Sequence, residues 1–209
     1  MTPLLRSLTS RLLNAVRLVG RPAHVARVRR SREILSTLRA FRGDGAAGRA
    51  FAYLRSIEAH TFEEVVLTAL EEAGCIVLRN RRYTADGGVD GRVLVPGDPL
   101  ATFIVQSKRY SQAVSPAHVG DFIDVVRREG HSGGLFVHCG RTGPLTKLAT
   151  SDSEVSLVSG SALLNLLLRS QVPPFRRHCH AESTRAQSAS QRRENGRRAG
   201  RGLASLHGH

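Results

Sequence analysis

Asp90, Gln106 and Lys108 are the residues of this 209-residue chain whose types and spacing suit hydrolysis of a phosphodiester. Lys108 is unusual by composition alone, because the chain carries 29 arginines and only two lysines. An ammonium is a compact point charge, whereas a guanidinium is a planar fork that is effectively never deprotonated. The two are not interchangeable beside a reacting phosphate or water. Gln106 and Lys108 stand two apart in Val105-Gln106-Ser107-Lys108, so on a strand both side chains leave one face. Asp90 follows the turn Ala85-Asp86-Gly87-Gly88-Val89 and precedes Gln106 by sixteen residues.

Each group has a chemical role. Mg²⁺ (or Mn²⁺) takes oxygen ligands, usually one or two carboxylates completed by water and substrate phosphate. Asp90 is the expected principal ligand, with the Gln106 amide oxygen and the Ser107 backbone carbonyl as further donors. A metal held there lowers the pKa of a bound water and neutralises charge building on the phosphate. Lys108 orients or deprotonates that water, or stabilises the crowded transition state. Glu63 is the fourth candidate, binding the metal through water or steadying the site. Plain structural readings stand beside these: an Asp after Gly-Gly also suits a turn, and Glu63 with Glu64 also suits the positive end of a helix.

The elements that must position these groups follow from pattern. Val25 to Arg42 and Ala47 to Ala59 read as helices, and Thr61 as the N-cap of a third, with Phe62, Val65, Val66, Ala69 and Leu70 on its apolar face and Gly74 at its end. Cys75 to Leu78 reads as a strand. Val89 to Val95 and Ala101 to Lys108 form a hairpin across Pro96-Gly97-Asp98-Pro99, with a four- to five-residue loop that sets Asp90 opposite residue 105 or 106. Ser115-Pro116 opens another helix. Strands at 133–138 and 155–158, a short helix near 145–149 and a last helix at 161–169 complete an α-β-β-β-α-β-(α)-β-α order. This is an α/β fold with a mixed sheet.

Charge is distributed unevenly. The net charge is +14, yet residues 51–170 hold 12 basic and 13 acidic residues. Residues 1–50 carry 11 Arg against two acids, and residues 171–209 carry eight against two. Basic arms of this kind meet phosphate on nucleic acid or on an anionic membrane surface. Residues 1–20 form a basic amphipathic helix by pattern, suited to a membrane surface, a partner or DNA, and also resembling a mitochondrial transit peptide. No stretch is long and apolar enough to span a bilayer. Cys75 and Cys139 read as core residues and no disulfide framework is implied, which fits a cytoplasmic setting. His178-Cys179-His180 lacks a second ligand pair and is set aside, as are His118, His131 and His138.

These motifs, in this order, make the chain resemble the Mrr-type restriction endonuclease catalytic domain of the PD-(D/E)xK nuclease superfamily. The resemblance rests on Phe62-Glu63, Gly74, Asp86-Gly87-Gly88-Val89-Asp90-Gly91, Val105-Gln106-Ser107-Lys108-Arg109-Tyr110, Val119-Gly120-Asp121-Phe122 and Gly134-Leu135-Phe136-Val137. It implies a restriction-endonuclease-like αβββαβ core with a mixed central sheet flanked by helices. It also implies a divalent-metal DNA endonuclease using Asp90, Gln106 and Lys108, with Glu63 as the helix carboxylate. Gln106 in place of the superfamily's usual glutamate is characteristic of this family, and it removes one negative charge from the site. The expected organisation is a basic helical extension over 1–59, the nuclease domain over 60–170 and a basic tail without a core over 171–209. DNA is the expected partner, with a homodimer allowed. The alternative function is a non-catalytic DNA-binding accessory protein on a decayed nuclease fold.

Overall fold

A computed structural model describes residues 22–80, 88–95 and 98–177. Residues 1–20, the Asp86-Gly87 part of the first turn, Pro96-Gly97 and His178-Cys179-His180 lie outside them. The helices are α1 (Pro22–Ala40), α2 (Ala46–Ser56), α3 (Ala59–Glu72), α4 (Pro116–Arg128), α5 (Pro144–Ser151) and α6 (Gly160–Arg169). The strands are β1 (Ile76–Arg79), β2 (Gly91–Val95), β3 (Asp98–Lys108), β4 (Gly133–His138) and β5 (Val155–Val158). They lie in sequence order across one sheet, antiparallel from β1 to β3 and parallel from β3 to β5. The fold is therefore the expected α/β one, a mixed five-stranded sheet flanked by helices.

Both faces of the sheet are covered, as parallel strands require. One face presents Val77, Val93, Val105, Leu135 and Val137 to Phe62, Val65, Val66, Ala69 and Leu70 of α3. The other presents Ile104 and Phe136 to Val119, Phe122 and Val126 of α4. α4 approaches closely because Gly134 has no side chain. A Cβ there would lie 2.7 Å from the Phe122 ring. Ser115 caps α4 as expected, its hydroxyl accepting from Ala117 N at 3.3 Å.

Three differences from the sequence reading have physical causes. First, α3 begins at Ala59 after Glu58 rather than at Thr61, so Glu63 and Glu64 lie beyond its first turn and are not helix-start charges. α2 stops early enough, at Ser56 with Ile57 extended, to leave room for that extra turn. Second, β3 starts at Asp98, and a register shift at Leu94/Val95 takes up the slack of a shorter connection than the expected loop. Third, the core reaches beyond residues 60–170. Ile34, Leu35 and Leu38 of α1 and Leu54 of α2 are buried in it. After α6 the chain returns across the sheet, placing the Phe175 ring 4.6 Å from that of Phe103. The compact unit runs through Arg177.

Candidate active site

The β2–β3 register fixes the geometry. Gly91 pairs with Val105, and just before it the Asp90 N–H donates to the Val105 carbonyl at 2.8 Å. One step further along β3, the Ser107 N–H donates to Asp90 Oδ2 at 2.6 Å. Asp90 is thus held by its backbone and its side chain against the Val105-Gln106-Ser107 backbone of β3, as hairpin counting expects. Parallel pairing with β4 buries the same segment, leaving Gln106 6 % and Ser107 2 % exposed.

Gln106 and Lys108 project together toward Gly88. Gln106 Nε2 donates to the Gly88 carbonyl at 2.8 Å. An amide oxygen is the atom of such a side chain that a cation would take. Gly88 has a φ of 81°, and a Cβ on it would fall 2.1 Å from Gln106 Nε2 and 3.8 Å from Lys108 Nζ. Only glycine permits this approach. Gly88, Gln106 and Lys108 line one groove of about 580 Å³, whose other wall includes Tyr110, His118 and Asp121.

Electrostatics draw Glu63 to the same place. The Asp90 carboxyl is pushed up to about 8, first by burial and then by the neighbouring charge of Glu63. Ser107 and Lys108 act in the opposite direction, without cancelling the rise. The Ser107 hydroxyl is buried beside the Asp90 carboxyl and favours its charged form. Two acids, one of them desolvated, and a buried hydroxyl form an oxygen-rich corner where Lys108 does not offset the negative charge. Asp90, Gln106 and the Ser107 carbonyl are the oxygen donors that could hold a hard divalent cation, with Glu63 as the adjacent carboxylate. Among the described residues no three His, Cys, Asp or Glu side chains gather as a metal-binding cluster, so amide and backbone oxygens must complete any such site.

Sequence reasoning missed two neighbours of this corner. Glu63 is hydrogen-bonded to His60 Nδ1 at 3.3 Å, one turn earlier on α3. His118, set aside from sequence, lines the groove with Lys108. The available signal was Ser115-Pro116, which starts α4 and so puts His118 in its first turn, just past the end of β3. Cys75 and Cys139 are buried free cysteines, as expected. Among the described residues no helix is long and apolar enough to cross a membrane.

Comparison with known proteins completes the description. A restriction endonuclease family model (Mrr_cat) matches residues 54–167. A solved structure titled MspJI restriction endonuclease in complex with a 27-mer oligonucleotide is similar at 19% identity and a TM-score of 0.45. That match covers 62% of this chain and 32% of the other, so this chain corresponds to about a third of that enzyme. No curated protein matches.

Proposed function

Because the chain belongs to the restriction endonuclease family whose model spans residues 54–167, we propose that it is a DNA endonuclease requiring Mg²⁺ or Mn²⁺. The reaction is hydrolysis of a phosphodiester in the groove beside Lys108. The observation that carries this reading is the double backbone clamp on Asp90, which holds a carboxyl charged only at a cost next to Gln106 and Lys108.

Asp90, Gln106 and the Ser107 carbonyl would hold the metal, and the chemistry it would supply there is Lewis-acid polarisation of the phosphate and a lowered pKa for the attacking water. Lys108 lines the groove, and its ammonium would meet the non-bridging oxygens and favour the more negative transition state. Gln106 is held by its hydrogen bond to the Gly88 carbonyl, the kind of positioning that lowers the entropic cost of reaction. Glu63 supplies the second negative charge that the neutral Gln106 does not. Two nicks are needed to cut a duplex, so two copies acting together are the proposed arrangement for double-strand cleavage. The basic arms add affinity independent of sequence, which weakens as salt rises.

The test is conversion of supercoiled plasmid in Mg²⁺ by the wild type, Asp90→Ala and Lys108→Ala. Each substitution is expected to reduce the rate about a hundredfold or more. Equal nicking by all three proteins contradicts the assignment. The oxygen-poor Gln106 favours a second reading, a DNA-binding accessory protein that no longer cuts. It predicts salt-sensitive binding unchanged by Asp90→Ala and no metal-dependent product.

A further inference from the structure

Tyr110 ends the run Gln106-Ser107-Lys108-Arg109-Tyr110 and has no part in the hydrolysis described above. Its ring has one side against the core beneath α4 and also lines the groove. Its hydroxyl is 2.5 Å from His118 Nδ1, the ring planes differ by 7°, and the centroids are 5.9 Å apart. A phenolic oxygen lies in its own ring plane, and a ring nitrogen accepts in the plane of the imidazole. Rings joined by that bond and nearly parallel therefore sit side by side, as one flat surface, rather than face over face. The hydroxyl and Nδ1 share one hydrogen bond whichever of them donates. The surface is fixed in place. Tyr110 N–H donates to the Lys108 carbonyl at 3.0 Å, and the Tyr110 carbonyl accepts from Cys139 Sγ at 3.3 Å.

The rest of this wall is unsuited to a phosphate backbone. His118, Asp121 and Asp124 recur at three-residue steps on α4 and line the groove, with Arg128 at the far end. Surfaces that follow a sugar-phosphate chain are built from Arg and Lys. Two carboxylates between His118 and Arg128 repel phosphates and leave them the Lys108 end. What fits against a flat aromatic surface flanked by acids is the other part of a nucleotide, its planar base. Aromatic side chains take unpaired bases this way without regard to sequence.

We propose that the Tyr110–His118 surface stacks an unpaired nucleobase next to the scissile phosphate, so that this groove takes DNA with a locally unpaired strand in preference to a continuous duplex. The inference rests on the assignment of the Lys108 end of the groove as the place of cleavage. A base inside an intact duplex is covered by its neighbours and cannot reach a wall; one in a bubble, gap or end can.

The experiment is equilibrium binding of the full chain, in EDTA, to a labelled duplex and to the same duplex carrying a short central bubble with 2-aminopurine in it. The wild type is expected to bind the bubble about tenfold more tightly and to quench the 2-aminopurine, since stacking of one base is worth roughly that factor. His118→Ala removes both effects, and a circular dichroism spectrum and melting temperature like those of the wild type show that it is folded. Tyr110→Phe keeps a ring but loses the bridge and is expected to lose part of the preference. Equal wild-type affinity for the two DNAs overturns the proposal, as does a preference that survives in His118→Ala. Lys108→Ala is expected to keep the preference while losing Mg²⁺-dependent cleavage. A wild type that prefers the bubble yet never cuts therefore contradicts the catalytic reading alone.

Discussion

Glu63 and Glu64 are neighbours on α3, and the structure treats them in opposite ways. Glu64 is buried with Glu71, and both face Arg79, itself buried, at 2.5 and 3.2 Å. Thr68 adds a hydrogen bond to the same guanidinium at 3.2 Å and another to Ser31 of α1 at 2.7 Å. Glu63 instead adds its charge to that of Asp90, where Lys108 is the nearby cation and does not restore an ordinary carboxyl pKa. One cluster is matched by protein groups, and the other is left short of positive charge. Buried charges that serve only the fold are paired, because an unpaired one is expensive. The Asp90–Glu63 pair is where, on the proposed function, a cation from outside would have a purpose.

Removing the matched cation should have the largest effect on the fold. Arg79→Met strands Glu64 and Glu71 and is expected to cost about 3–5 kcal/mol in urea unfolding. Adding Glu64→Gln and Glu71→Gln should recover much of it. A loss below about 1 kcal/mol would mean that the cluster is not the ionic knot described.

At the unmatched corner the sign reverses. The folded-state pKa of Asp90 lies near 8, against 3.8 for the free group. The folded protein thus binds more protons between these values, and its stability falls as pH rises through that window. Asp90→Asn keeps an acceptor for the Ser107 N–H and removes the penalty. It should leave stability unchanged near pH 4 and raise it by about 2 kcal/mol at pH 8, a value reduced for the exposed surface Asp90 retains. Thermal melts across that range decide it, and a variant less stable than the wild type at pH 8 breaks the comparison. Gly88→Ala should cost about 1–2 kcal/mol through its positive φ and push Gln106 aside, lowering cleavage more than stability. Glu63→Gln should have the smallest effect on stability, under about 1 kcal/mol, while moving the pH window of the melts downward.

The sequence made one half of this comparison legible. Period-two apolar runs and the turns between them gave the hairpin, and the register then brought Asp90 to Gln106-Ser107-Lys108. The Glu63–Glu64 contrast was hidden because Thr61 resembles an N-cap. Capping is a local preference of about 1 kcal/mol, and packing of Phe62, fully buried in the core, decides where the helix lies. Arg79 read as the start of a basic stretch, since nothing local says that a strand-end arginine turns inward to two glutamates fifteen and eight residues away. The segment after Pro173-Pro174 read as tail, although Phe175, a lone aromatic among polar residues, was a signal of its docking on Phe103. Long-range partners of single residues are what a one-dimensional pattern does not carry.

On the proposed function, Asp90 is kept under electrostatic strain for the sake of a cation and a phosphodiester. The most direct test is Asp90→Asn measured twice on one preparation, by thermal melting at pH 8 and by plasmid cleavage in Mg²⁺. The account predicts a protein that melts higher than the wild type and does not cut. Cleavage at the wild-type rate by a folded Asp90→Asn protein would contradict it.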